Sequence, residues 1–424
     1  MLTVFLVLFM ALLIFNFPIF VAFLVSSVVA LYFFFSNMPL EIIVQTSFRT
    51  VDKFSLVAVP YFILTANIMS RGGMASRLID WALAMVGSVR GSLGIATVLS
   101  AEFFGALSGS APATVAALGK ILYPALRKNH YGKEYALGLI TAGGSIAILI
   151  PPSITMIIYA SIADASVGKL FIAGIIPGLL VGLFYVAYTV FYAVRRNVPT
   201  VGSFSFRNLA VATKKAGWTL GVPVLILGGI YIGIFTPTES AAVSSVYALF
   251  VSMVIYKELT IRDVFDIAVE TAELTAKIFI IVAASGIFSW ILTIGQAPQV
   301  VAAAVNNSHV PYHVLLILIN IVLLIAGMFI HPTSITIIFT PLFLPVVTAM
   351  GIDPVHFGII LTLNIAIGMY SPPFGLNLFV TSGVFNEPVS KIIPGLVPFI
   401  ILSLIALLLV TFIPAISLFL PSLM

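Results

Sequence analysis

Ser108-Gly109-Ser110-Ala111-Pro112-Ala113-Thr114 places small and hydroxylated residues inside an otherwise apolar run, Phe103–Pro152. Gly143-Gly144-Ser145 follows, and the run closes on Pro151-Pro152-Ser153. Unwound backbone beside hydroxyls offers a hard cation oxygen ligands without burying a carboxylate. Sodium takes about five or six such oxygens. Free N–H groups at the start of a half-helix suit an anion. About 220 residues on, the pattern recurs. His331-Pro332-Thr333-Ser334 is a second polar knot, and Asn364-Ile365-Ala366-Ile367-Gly368 leads to Ser371-Pro372-Pro373-Phe374-Gly375-Leu376-Asn377. Each double proline removes two backbone donors and frees the carbonyls upstream. A cation facing the adjacent knot would satisfy them. The alternatives are helix packing by small residues and a kink bridged by water.

Other reactive groups are few. Glu102, Lys120 and Glu239 carry charge in apolar surroundings, where such groups are costly and tend to be functional. Lys120 could instead snorkel, and Glu239, after Thr236-Pro237-Thr238, reads better as a helix cap. His331 could hydrogen-bond a solute or carry a proton, or be satisfied by backbone. The five histidines (130, 309, 313, 331, 356) include one close pair, and no HExxH, Walker A or GxSxG pattern occurs. With no cysteine there is no disulfide or thiolate chemistry.

The elements around these residues must sit in a membrane. Of 424 residues, 61% are hydrophobic and 8% charged, against roughly 25% charged in soluble domains. A polytopic all-α membrane protein is the class that fits. The N-terminal run MLTVFLVLFMALLIFNF reads as a first membrane segment, not a cleaved signal. The net charge of +5 lies on short loops, and Arg195–Lys215 holds five basic residues and no acid, marking a cytoplasmic face. With no hydrophilic domain to hold a nucleotide, driving energy would come from an ion gradient or a partner.

In order, the expected segments are an apolar region 1–36 with a soft break at Asn16-Phe17-Pro18; an interfacial helix 38–53; membrane segments Val57–Ser70 and Gly91–Leu107; a re-entrant hairpin 108–126; a broken helix 135–163; and a long span Lys169–Val194. After a basic loop 201–216 comes a second set: a region broken at Thr236-Pro237, an interfacial helix 257–276, a segment Ile278–Ile294, an interfacial stretch Ala297–Val310, a segment Val314–Ile330, a hairpin 331–347, a broken helix 355–381 and a span Lys391–Leu420. GKILYPAL at 119–126 overlies TPLFLPVV at 340–347; in that register Ser110 falls on His331 and Pro151-Pro152 on Pro372-Pro373. This divides the chain into repeat 1 (1–200) and repeat 2 (217–424). Broken helices at matching positions of two halves point to a secondary transporter's site. The basic loop after the first hairpin, set against Gly351-Ile352-Asp353-Pro354 after the second, favours an inverted repeat. Two crossings in each leading region would instead make it parallel.

FGALSGSAPATVAALGKILYPAL, ILIPPSITMIIY, GIFTPTESAAVSSVYAL, HPTSITIIFTPLFLPVV, GIDPVHFGIILTLNIAIG and SPPFGLNLFV together strongly resemble the large, DctM-like membrane subunit of tripartite ATP-independent periplasmic (TRAP) transporters, over essentially the whole chain. The resemblance implies a sodium-coupled importer of organic acids in the bacterial inner membrane. It implies two partners, a small four-helix membrane subunit and a periplasmic solute-binding protein, and an elevator motion of a transport domain against a scaffold. It also implies at least two Na+ sites. Gly105, Ser108, Gly109 and Ser110, with the carbonyls from Ala147 to Pro151, would form one, and Gly327, Thr333, Gly368, Ser371 and Phe374 its mate. Ser153, Thr155, His331 and Asn377 would border the cavity for the substrate carboxylate. Many members carry an acid where this chain has His331. The GSAPATVAA tip looks more like dicarboxylate than sialic acid members. Rival readings are an autonomous sodium/carboxylate carrier and, in another class, a channel or scaffold subunit. A channel would show pore-lining rings in place of two closed hairpins.

Overall fold

Two helices, Lys133–Ile146 and Pro354–Gly368, have no exposed face beyond their first residues: every residue from Tyr135 to Ile146 and from Val355 to Gly368 is buried. A helix without a polar face must be covered on all sides, and the rest of the fold is arranged to cover these two. In the computed structural model, residues 2–15, 17–35, 37–201, 204–297, 299–300 and 311–424 are described. All regular structure among them is helical.

The helices run α1 Leu2–Ile14, α2 Ile19–Phe34, α3 Glu41–Val51, α4 Ala58–Arg71, α5 Met74–Val86, α6 Ser92–Ser108, α7 Ala111–Lys128, α8 Lys133–Ile146, α9 Ile154–Ala163, α10 Val167–Arg195 and α11 Phe206–Pro223. They continue as α12 Pro237–Phe250, α13 Ile261–Ile294, α14 Tyr312–Phe329, α15 Pro332–Ala349, α16 Pro354–Gly368, α17 Leu376–Phe385 and α18 Val389–Phe412. Among the described residues, seven helices are long and apolar enough to cross a membrane by length and composition. Helix α8 packs on α6, α7, α17 and α18, and α16 packs on α9, α10, α14, α15 and α18. Each central helix therefore touches elements from both halves of the chain.

Several segments differ from the sequence reading. The first hairpin is not 108–126: its turn is Ser108–Ser110 and its arms are all of α6 and α7. Pro112 sits in the first turn of α7, where its missing N–H costs nothing, and Pro124 stays inside the helix. The second hairpin is likewise not 331–347 but α14 and α15 joined at Ile330-His331. The interfacial helix 257–276 and the segment behind it form one helix, the 34-residue α13. The basic stretch 201–216 is mostly helical, because α11 begins at Phe206 and carries Arg207, Lys214 and Lys215. Pro18 starts α2. Asn16, Gly202, Ser203 and most of Ala297–Val310, with His309, lie outside the described residues.

Outer elements are pinned by charge. Arg77 on α5 pairs with Glu258 at 2.6 Å and lies 3.8 Å over the Tyr256 ring. Arg71 on α4 pairs with Glu270 on α13. Lys53 reaches Asp164, past the end of α9, at 2.8 Å. Exposed pairs like these each contribute only a few tenths of a kcal/mol to about 1 kcal/mol; their value here is to fix which helix ends meet.

Candidate functional site

Helix α6 stops at Ser108 because Gly109 takes a left-handed φ of +55°, which a residue with a Cβ adopts only at a cost. Ser110 is extended and α7 begins at Ala111. The turn gathers three oxygens: the Ser108 hydroxyl lies 2.8 Å from that of Thr114 and 3.2 Å from the Ser110 carbonyl, to which Thr114 donates at 2.9 Å. Ser108 and Thr114 are buried. Two hydroxyl hydrogens serve three oxygens, so acceptor capacity is left over.

The turn is seated on the first double proline. A Cβ added to Gly109 would stand 2.9 Å from the Pro152 carbonyl, and one on Gly105 would stand 2.5 Å from the Ala147 Cα. The two backbones touch. Among the described residues, no N–H or hydroxyl donates to the carbonyls of Ala147 through Pro152, while Ala147 N donates to Gly144 and Leu149 N to Ile146. Buried carbonyls are normally paired; here six consecutive ones, five of them on buried residues, are unpaired beside an acceptor-rich turn. All the oxygens involved are neutral, which suits a monovalent hard cation. No group of three or more His, Cys, Asp or Glu side chains able to hold a metal occurs among the described residues.

The second turn has the same placement and different chemistry. Gly327 on α14 meets Gly368 at the end of α16 so closely that a Cβ on Gly368 would lie 2.4 Å from the Gly327 Cα. His331 caps α15 through its carbonyl, which accepts from Ser334 at 2.9 Å and Ile335 at 3.1 Å. Thr333 is buried, with no side-chain hydrogen bond among the described residues. The break after α16 closes on itself. Asn377 N donates to Met369 at 2.8 Å, Gly375 N to Ser371 at 3.1 Å, Ser371 N to Gly368 at 3.1 Å, and the Ser371 hydroxyl to Ile367 at 2.7 Å. The Phe374 ring is 54% exposed and lies 5.3 Å from Phe329, which ties the break to the hairpin's first arm. Both Pro-Pro peptide bonds are cis.

The four residues assigned to a substrate cavity do not converge through hydrogen bonds. The Ser153 hydroxyl accepts from Met156 N at 3.4 Å and so caps α9. Thr155 is buried. Asn377 is fully buried, with its Nδ2 donating to Ser145 at 2.6 Å and its Oδ1 unpaired. His331 is exposed and opens onto a groove of about 790 Å³ lined mainly by apolar residues of α1, α14 and α15.

Sequence reading missed an amide pair. Asn364 on α16 donates to Asn320 Oδ1 at 2.8 Å, Asn320 donates to Thr411 at 3.0 Å, and Asn364 Oδ1 has no partner. The available signal was a lone amide, Asn320, in the middle of an apolar 18-residue helix. Thr114 lies within the quoted serine-rich run but was not singled out as a ligand. Of the charged residues, Lys120 is exposed on α7. Glu239 completes a capping box with Thr236, as its sequence context suggests. Glu102 is buried on α6, its carboxyl filling the notch left by Gly182 on α10.

Comparison with known proteins places this architecture. The sequence pattern of the tripartite ATP-independent periplasmic transporter, DctM component, matches residues 6–416. A C4-dicarboxylate TRAP transporter large permease protein, DctM, of Pseudomonas aeruginosa is 43% identical over 375 residues, 88% of each chain. An isethionate TRAP transporter permease protein, DctMQ, of Oleidesulfovibrio alaskensis is 40% identical over 386 residues, 90% of this chain and 60% of its own length. The crystal structure of the Alcanivorax borkumensis YdaH transporter shares the fold, with a TM-score of 0.60 at 15% identity over 87% of this chain and 86% of its own.

Proposed function

This chain belongs to the family of the DctM component of TRAP transporters, a multi-pass transport subunit of the bacterial inner membrane and not an enzyme, and we propose that it imports an organic acid with sodium. The observation that carries the reading is the unpaired carbonyl run Ala147–Pro152 lying against the Ser108–Ser110 turn. Sodium is cargo here, and it supplies the charge that neutral oxygens lack. Ser108, Ser110, Thr114 and the carbonyls near Ala147–Pro151 would hold one ion. Thr333, Ser371 and the carbonyls around Gly327, Gly368 and Phe374 would hold a second.

The substrate carboxylate would lie between the two breaks, near Ser153, Thr155 and Asn377, with His331 at the rim. A C4-dicarboxylate is the favoured cargo, since a relative of that name is 43% identical; a sialic or other sugar acid is the alternative. The fully packed α8 and α16 would travel with the hairpins as a rigid unit of two inverted repeats. Movement of that unit against the outer helices would be the elevator step. A small membrane subunit and a periplasmic binding protein would complete the transporter. The greater length of the DctMQ relative supports a fused small subunit in that protein.

The test is uptake of labelled carboxylates into proteoliposomes holding the complete transporter, with the binding protein loaded. Uptake driven by an inward sodium gradient and absent when choline replaces sodium supports the reading. Equal uptake in choline sinks it.

A further inference from the structure

Away from the breaks, a polar cavity of about 510 Å³ opens where the ends of α8, α10 and α18 meet. Its lining includes two charged groups of opposite sign, Glu134 and Arg196, both exposed and neither in an ion pair among the described residues. Lys133, also in the lining, is already committed to Glu387 at 2.5 Å. The same cavity is walled by three tyrosines, Tyr135, Tyr188 and Tyr192. Tyr135 and Tyr192 stack with centroids 3.7 Å apart and planes at 10°, and Tyr188 lies 6.5 Å from Tyr192. The wall is held in place: the Tyr192 hydroxyl accepts from Gly132 N at 3.1 Å, and the Tyr135 hydroxyl donates to Thr189 at 2.8 Å. Close packing of Gly395 on the Glu134 backbone and the kink residues Pro394 and Pro398 shape the α18 side.

We infer that this cavity binds the headgroup of a zwitterionic phospholipid of the phosphoethanolamine type, from the inner leaflet. Arg196 matches the phosphate, to which a guanidinium donates two parallel hydrogen bonds. Glu134 and the tyrosine faces match the primary ammonium. An anionic headgroup would leave Glu134 facing like charge. The site lies at the C-terminal end of α10, a helix long and apolar enough to cross a membrane, beside the basic Arg195–Lys215 stretch, the side expected to be cytoplasmic. One turn from Pro394, the residues Val397, Ile401, Ile405 and Leu408 present an exposed apolar stripe along α18, at spacing that keeps them on one helix face. That stripe offers an acyl chain a path into the hydrocarbon.

The experiment is native mass spectrometry of the purified complete transporter, stripped by detergent exchange and offered equal amounts of phosphatidylethanolamine and phosphatidylglycerol. Wild type should retain one phosphatidylethanolamine with at least about fivefold preference, the scale of one charge-assisted contact. Glu134→Gln should bring the two lipids to parity, and Arg196→Gln should lose both. Both substitutions are at exposed positions, and an unchanged melting temperature in detergent would separate lost binding from lost folding. Preference for phosphatidylglycerol in wild type, or a phosphatidylethanolamine preference that survives both substitutions, would overturn the assignment.

Discussion

The two breaks occupy matching places and satisfy their backbones in opposite ways. After α8, the carbonyls from Ala147 to Pro152 accept nothing among the described residues, and the nearby hairpin turn brings hydroxyls. After α16, the break hydrogen-bonds to itself through Asn377, Gly375 and Ser371, and the spare acceptors are two amide oxygens, Asn364 Oδ1 and Asn377 Oδ1. Position is therefore shared between the halves, while the ligand chemistry is not. The first break leaves its main-chain carbonyls without donors. The second is a finished turn flanked by two unpaired amide oxygens, Asn364 Oδ1 one helical turn before Gly368 and Asn377 Oδ1 at the start of α17. Two ion sites built this way would differ in affinity, and the hydroxyl-and-carbonyl site of the first half would dominate sodium dependence.

The largest effect should come from removing what the breaks share, their close backbone approach. Gly368→Val would drive a side chain into the Gly327 backbone. Overpacking costs roughly 1–3 kcal/mol where neighbours can yield, and backbone yields least. We expect lost uptake and a melting temperature several degrees lower in a fluorescence melt; an active, stable variant would show that the contact is not needed.

Next is Ser108→Ala, which deletes a buried hydroxyl from the three-oxygen knot. The loss of about 1–2 kcal/mol of ligation corresponds to about a 5- to 30-fold rise in the sodium concentration for half-maximal uptake. Asn364→Leu tests the second half. It removes the orphaned oxygen and strands Asn320 Oδ1, at about 1–3 kcal/mol in stability. If the two sites differ as described, the shift in sodium dependence should be smaller than for Ser108→Ala, whereas the melting temperature should fall more. The reverse ranking would mean that the second break is the main ion site. His331→Asp should do least: a severalfold change in the substrate concentration for half-maximal uptake, with sodium dependence retained. A change in sodium dependence alone would move His331 from the solute to the ion.

Much of this was legible beforehand because rare residues mark rare backbone. Double prolines, the serine-rich knot and the HPTS turn located both turns and both breaks. The hairpin limits were not legible. The first arms, α6 and α14, are both mainly apolar, and composition cannot tell a helix that crosses from one that turns back. The 34-residue α13 was divided because its charged N-terminal half resembles an interfacial helix, and a change of composition along a helix need not interrupt its hydrogen bonds. The loop reading of Arg195–Lys215 failed at Phe206, since basic residues are good helix formers. Asn320 escaped notice because one amide leaves no periodic signal; its meaning comes from Asn364, brought to it by packing.

The most direct measurement is a sodium titration of substrate uptake by wild type, Ser108→Ala and Asn364→Leu, in proteoliposomes of the complete transporter at matched protein content. The account predicts no uptake without sodium and a rightward shift in both variants, larger for Ser108→Ala. Superimposed curves, or full uptake with choline in place of sodium, would contradict it.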